Sequence, residues 1–164
     1  MSLPKVAFHT LGCKVNQIES EQVKEDFIAQ GYEVVDFADK ADVYIINTCT
    51  VTHVSDRKSR AMIRRAVRNN PNAIVAAVGC TAQVSGEKLA KIEGLNLVIG
   101  NKNKADLFNI IQDYEFNNNT QIYVEPISKG DKLRPTILSN PHERTRAFIK
   151  IQGGCQSFCS YCIV

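Results

Sequence analysis

Apolar and polar positions keep two alternating rhythms over residues 1–115. Val6-Ala7-Phe8-His9 reads as a strand and runs into Leu11-Gly12-Cys13. Asn16 stands as a helix cap, with Glu19 three residues on as its capping-box partner. Val23 and Phe27 give that helix an apolar stripe, and Gly31 ends it. Tyr32-Glu33-Val34-Val35 reads as a short strand, and Val43-Tyr44-Ile45-Ile46-Asn47 as a stronger one ending in Thr48-Cys49-Thr50. A helix from Ser55 to Arg68 stops at Asn69-Asn70-Pro71. Ala73 to Val78 is a strand, apolar without alternation, that ends in Gly79-Cys80. A helix near Ser85 to Ile92, a strand at Leu97-Val98-Ile99 and a helix near Ala105 to Asp113 follow. Unbroken apolar strands suit a parallel sheet covered on both faces. The expected fold is therefore α/β, a parallel sheet with flanking helices.

Beyond that the rhythm dissolves. Residues 116–145 read as a linker marked by Asn117-Asn118-Asn119, Lys129-Gly130-Asp131 and Asn140-Pro141, with an edge strand at Gln121 to Glu125. Strand alternation resumes at Arg146 to Ile151, and Gly153-Gly154 leads into three cysteines. A strand and a cysteine loop cannot make a domain, so residues 146–164 read as the truncated start of a second one.

Composition narrows the classes. Of 164 residues, 44% are hydrophobic and 23% charged, the balance of a globular protein. No apolar run approaches the ~20 residues of a membrane helix, and the start carries no signal-peptide stretch. Lys+Arg 20 against Asp+Glu 17 gives +3, too little to prove nucleic-acid binding. Six cysteines in a chain that reads as cytoplasmic point to metal or redox chemistry rather than to a disulfide framework.

Cys13, Cys49 and Cys80 are distant in sequence, yet each closely follows a predicted strand. The carboxyl ends of parallel strands share one edge, where ligands of open α/β sheets gather. The three thiols are expected to meet there, and Gly12 and Gly79 would let the backbone approach a bulky group. Three readings stay open: small buried residues, a zinc site with His9 or His53 as fourth ligand, and an iron–sulfur cluster on three thiolates. The second set, Cys155, Cys159 and Cys162, has C-x3-C-x2-C spacing. Three thiolates so close in sequence can hold three corners of one cluster; half a zinc ribbon is the alternative.

With Tyr161 before its last cysteine, this second motif resembles the signature of radical S-adenosylmethionine enzymes. Thr10-Leu11-Gly12-Cys13-Lys14-Val15-Asn16, Asn47-Thr48-Cys49-Thr50-Val51 and Val78-Gly79-Cys80-Thr81-Ala82-Gln83 resemble the three cysteine motifs of the methylthiotransferase family. In that family such a domain precedes a radical S-adenosylmethionine β/α barrel and an RNA-binding TRAM domain. The resemblance implies that Cys13, Cys49 and Cys80 bind an auxiliary 4Fe-4S cluster that handles the inserted sulfur. It implies that Cys155, Cys159 and Cys162 bind a second 4Fe-4S cluster, whose open iron chelates S-adenosyl-L-methionine. An electron then cleaves that molecule to a 5′-deoxyadenosyl radical. Tyr161 is implied on the cofactor side. The implied partners are tRNA, at adenosine 37 of the anticodon loop, and an electron donor such as a flavodoxin; no membrane is involved.

Gly12-Cys13-Lys14-Val15-Asn16 resembles the branch acting on N6-threonylcarbamoyladenosine. The branches acting on isopentenyladenosine or on a ribosomal-protein aspartate usually differ after this cysteine, and they stand as alternatives. A zinc- or thiol-based binding module is the alternative of another class. The parent protein reads as an enzyme, and this chain alone as inactive for want of the remaining barrel.

Arg57, Arg60, Arg64 and Arg68 fall on one face of the Ser55 helix. They read either as a stripe tracking RNA phosphates or as a solvated face opposite Met62, Ile63, Ala66 and Val67. His9 and His53 read as ordinary hydrogen-bonded histidines or as neighbours of the cysteine ligands. Capping and turn formation account for Asn16, Asn47 and Thr48.

Overall fold

The structure is a computed structural model and describes residues 3–50, 53–116, 119–127, 150 and 159–160. Six strands form one sheet: β1 (Lys5–Thr10), β2 (Glu33–Val35), β3 (Val43–Thr48), β4 (Ile74–Gly79), β5 (Leu97–Ile99) and β6 (Gln121–Tyr123). Their order is β2-β1-β3-β4-β5-β6, and every pairing is parallel. Helices α1 (Lys14–Ala29), α2 (His53–Asn69), α3 (Cys80–Ala90) and α4 (Leu107–Gln112) connect them, with a 3-10 turn at Asn103–Asp106 before α4.

Strand alternation divides the core. Val43 and Ile45 face α1 and α4, with Phe27, Leu107 and Ile111. Tyr44 and Ile46 face α2 and α3, with Ile63, Ala66 and Leu89. All six residues of β3 are buried, as a central strand covered on both faces requires. The three-residue strands β2 and β6 close the edges, where short strands limit pairing with other chains. Among the described residues, no helix is long and apolar enough to cross a membrane.

The connection from β1 leads outward to β2, whereas that from β3 leads the other way to β4. The crevice between the carboxyl ends of β1 and β3 is therefore the topological switch point, the usual ligand position in such sheets.

Several local expectations are corrected. Asn16 does not cap α1: the N-cap is Cys13, with no side-chain cap bond. Asn16 lies inside the helix because its amide is drawn to two carbonyls, Leu11 O at 2.8 Å and Thr48 O at 3.2 Å. Glu19 is likewise taken from its capping role by Lys104. The third helix begins at Cys80 rather than near Ser85; Ser85 instead marks a kink, with φ −136° and ψ 35°. Its N-cap, Gly79, supplies no capping side chain, so the sequence carries no start signal there. The last predicted helix divides into the 3-10 turn and α4. The edge strand expected at Gln121 to Glu125 is present as β6, shortened to Gln121–Tyr123 and paired with Leu97–Ile99. The expected strand at 146–151 lies outside the described residues apart from Lys150.

Candidate metal centre

Cys13, Cys49 and Cys80 stand at the ends of β1, β3 and β4, all on the carboxyl edge of the sheet. Cys49 is buried, Cys80 half-buried and Cys13 exposed, and all three are free thiols. Cys13 is the N-cap of α1, Cys80 is the first residue of α3, and Cys49 shortly precedes α2. Each cysteine thus sits at or near a helix amino end.

Burial pushes the Cys80 thiol above its ordinary range, and the Cys49 and Cys13 thiols push the same way. Lys104 and a hydrogen bond with Asn101 oppose them. Among the described residues no three His, Cys, Asp or Glu side chains are placed to hold a single metal ion. An iron–sulfur cluster differs in offering a separate iron to each thiolate.

A polar lattice fixes the thiol-bearing loops. Leu11 N–H donates to Asn47 O at 2.9 Å, tying the loop after β1 to β3. Asn47 Nδ2 donates to Asn16 O and Ser20 Oγ, each at 3.0 Å. Thr48 Oγ1 donates to Val78 O at 2.6 Å. The Cys49 N–H donates to Ser59 Oγ at 3.4 Å. Two glycines make room. Gly12 has φ +105° and would place a Cβ 2.9 Å from Cys49 Sγ; Gly79 has φ +97° and would place one 2.8 Å from Thr48 O. The donor set, the helix ends and the glycine clearances fit a group held by three thiolates.

The other candidates are placed as follows. His9 packs on Phe37, with ring centroids 5.1 Å apart. Burial and the charge of Arg65 hold it below the usual histidine range. His53 is exposed. Arg57, Arg64 and Arg68 are exposed on α2, whereas Arg60 pairs with Asp56 at 3.0 Å. Ile63 and Ala66 are buried on the opposite face. Cys159 is an exposed free thiol; Cys155, Tyr161, Cys162 and His142 lie outside the described residues. Sequence reasoning missed Lys104 and Asn101. The loop after β5 ends on the same sheet edge, and extending the strand-end argument to it would have found both.

The family described as "Uncharacterized protein family UPF0004" matches residues 5–100, from the start of β1 to just past β5. The chain belongs to this family. The UPF0004 match takes in Cys13, Cys49 and Cys80 together with the loops that carry them. Over 98% of its length the chain is 46% identical to a protein of Aquifex aeolicus named threonylcarbamoyladenosine tRNA methylthiotransferase MtaB. A Bacillus subtilis protein of the same name is 43% identical over 97% of the chain. A protein of Methylacidiphilum infernorum, named tRNA-2-methylthio-N(6)-dimethylallyladenosine synthase, is 32% identical over 99% of the chain. The chain spans 39%, 35% and 36% of these relatives' lengths.

Proposed function

We propose that the chain is the N-terminal part of a tRNA methylthiotransferase acting at C2 of N6-threonylcarbamoyladenosine-37. The observation that carries this reading is that Cys13, Cys49 and Cys80 all stand at strand ends on the carboxyl edge of the sheet, two of them flanking its switch point. The higher identity to relatives named for threonylcarbamoyladenosine favours that branch over the dimethylallyladenosine one.

Cys13, Cys49 and Cys80 would hold an auxiliary 4Fe-4S cluster; Cys155, Cys159 and Cys162 would hold a second, with S-adenosyl-L-methionine beside Tyr161. Bound there, the two clusters supply radical generation and sulfur delivery, which an unactivated aromatic C–H bond requires. This chain's own residues do the positioning. Asn16 and Asn47 fix the loops carrying Cys13 and Cys49, and Gly12 keeps the space beside Cys49 clear. The exposed Arg57, Arg64 and Arg68 run along α2, the helix that starts beside the site, and suit the phosphates of a bound tRNA. The electron donor would be a protein such as a flavodoxin, and the setting the cytoplasm.

The test is iron and sulfide content per chain after anaerobic reconstitution, in the wild type and in Cys155→Ala/Cys159→Ala/Cys162→Ala. About four irons and four sulfides in the triple variant are expected. Zinc without sulfide, or no metal in either protein, would move the assignment to a thiol-based binding module.

A further inference from the structure

Glu19 lies in the second turn of α1, yet its partners come from far along the chain. Its Oε2 accepts from Lys104 Nζ at 2.6 Å, and its Oε1 accepts from Lys150 Nζ, also at 2.6 Å. Lys104 belongs to the 3-10 turn after β5, whereas Lys150 lies beyond β6, 131 residues after Glu19. The side chains of Glu19, Lys104 and Lys150 are 18%, 7% and 12% exposed. The pairs Lys24–Glu21 and Arg60–Asp56 are different: each joins residues one helical turn apart, with more of both side chains in water. Burying an ion costs several kcal/mol unless it is well paired. Lys104 and Glu19 already meet that need as one cation on one anion. Lys150 brings a second cation to the same carboxylate, which the stability of the sheet does not require. What it adds is a link between α1 and chain that lies beyond β6.

We propose that Glu19 is the docking point at which the chain beyond β6 is fastened to the sheet domain: Lys104 holds the carboxylate in place, and Lys150 is the group that attaches. The position suits the two cysteine sets. Cys13 is the N-cap of α1, and at 1.5 Å per residue Glu19 stands about 9 Å along the helix from it. Cys155 follows Lys150 by five residues, which span at most about 18 Å when fully extended. A chain fastened at Lys150 therefore keeps the second set of thiols near the first. That purpose rests on the cluster reading above; the attachment itself needs no metal.

The experiment follows backbone hydrogen–deuterium exchange by mass spectrometry in the metal-free chain, comparing the peptide of residues 146–154 with peptides from β3 and β4. Lys150→Gln removes the attaching charge and leaves the Lys104–Glu19 pair in place, so the sheet stays folded. Exchange in 146–154 should become about tenfold faster, the change expected for loss of one hydrogen bond to a charged group. Exchange in β3 and β4 should not change. Lys150→Arg, which keeps the charge, should stay near the wild type. Equal exchange of 146–154 in the wild type and Lys150→Gln overturns the inference, as does an Arg variant as fast as the Gln one. Iron and sulfide counts on the reconstituted chain decide the cluster reading separately, because no metal enters this measurement.

Discussion

Replacing Gly12 by Ala tests whether the space beside Cys49 is built as described. Gly12 sits at φ +105°, a conformation that strains any residue with a Cβ by about 1–3 kcal/mol. The new Cβ would also lie 2.8 Å from both Asn16 Nδ2 and Cys49 Cβ. Neither neighbour yields easily. Cys49 Cβ is bonded to the backbone, whose N–H is held by Ser59. Moving Asn16 releases the Leu11 and Thr48 carbonyls, and a buried polar group without a partner costs about 1–3 kcal/mol. Against this, Ala stabilises by about 0.4–1 kcal/mol through the unfolded chain. The expected loss is about 3 kcal/mol, which lowers the urea midpoint by about 1.5 M for a slope near 2 kcal/mol per M. Gly31→Ala is the internal control. Its φ is +86°, but nothing lies within 4 Å of an added Cβ, so only the backbone strain applies. Urea unfolding followed by far-UV circular dichroism measures both variants. Iron uptake should fall in Gly12→Ala and persist in Gly31→Ala. Equal midpoints for the two variants would refute the packing argument.

Two further outcomes are expected. Glu19→Gln leaves Lys104 and Lys150 without their anion, and losing one partner of a buried pair costs about 3–5 kcal/mol. Burial raises the Glu19 carboxyl, but the two lysines outweigh it and hold it below its ordinary 4.5. Its stabilisation is therefore complete above that value and lost as the pH falls through the lower folded one. The gap in urea midpoint between wild type and Glu19→Gln should shrink on acidification below 4.5; a constant gap would count against the ion triad. On the proposed function, Arg57→Ala/Arg64→Ala/Arg68→Ala in the whole enzyme should flatten the salt dependence of tRNA binding by about two units of log–log slope. An unchanged slope would make the stripe a solvated face.

The parallel sheet was legible because its evidence is local. Apolar runs such as Val43–Ile46 and Ala73–Val78 read as strands without any knowledge of their neighbours. That Cys13, Cys49 and Cys80 share one edge was legible for a topological reason: parallel strands place their carboxyl ends on the same side of the sheet. What escaped was decided by long-range partners. Asn16 looks like a cap in its own window, yet carbonyls at Leu11 and Thr48 claim its amide. Glu19 and Lys104 are 85 residues apart in sequence, and no periodicity joins a helix carboxylate to a lysine beyond β5. The start of α3 at Cys80 carries no capping residue, so sequence signals pointed instead to the kink at Ser85.

The misses are not scattered, and their position bears on function. Asn47 is 2% exposed near the end of a central strand, a setting that disfavours Asn. Buried side-chain atoms normally find a hydrogen-bond partner. Among the described residues three have none, and Asn47 Oδ1, Thr81 Oγ1 and Asn103 Oδ1 all lie by the carboxyl edge of the sheet. The left-handed Gly12 and Gly79, the uncapped amino ends of α1 and α3 and the buried Lys104 lie there too. At the opposite end Asp42 accepts from the Lys5 N–H, Asn70 donates to Ala41 O and Asn96 accepts from the Val75 N–H. Departures from local rules persist where the surrounding structure outweighs their cost, and they concentrate at functional sites. A fold stabilised by its two apolar layers can hold such an edge in place. The same edge carries the three thiols.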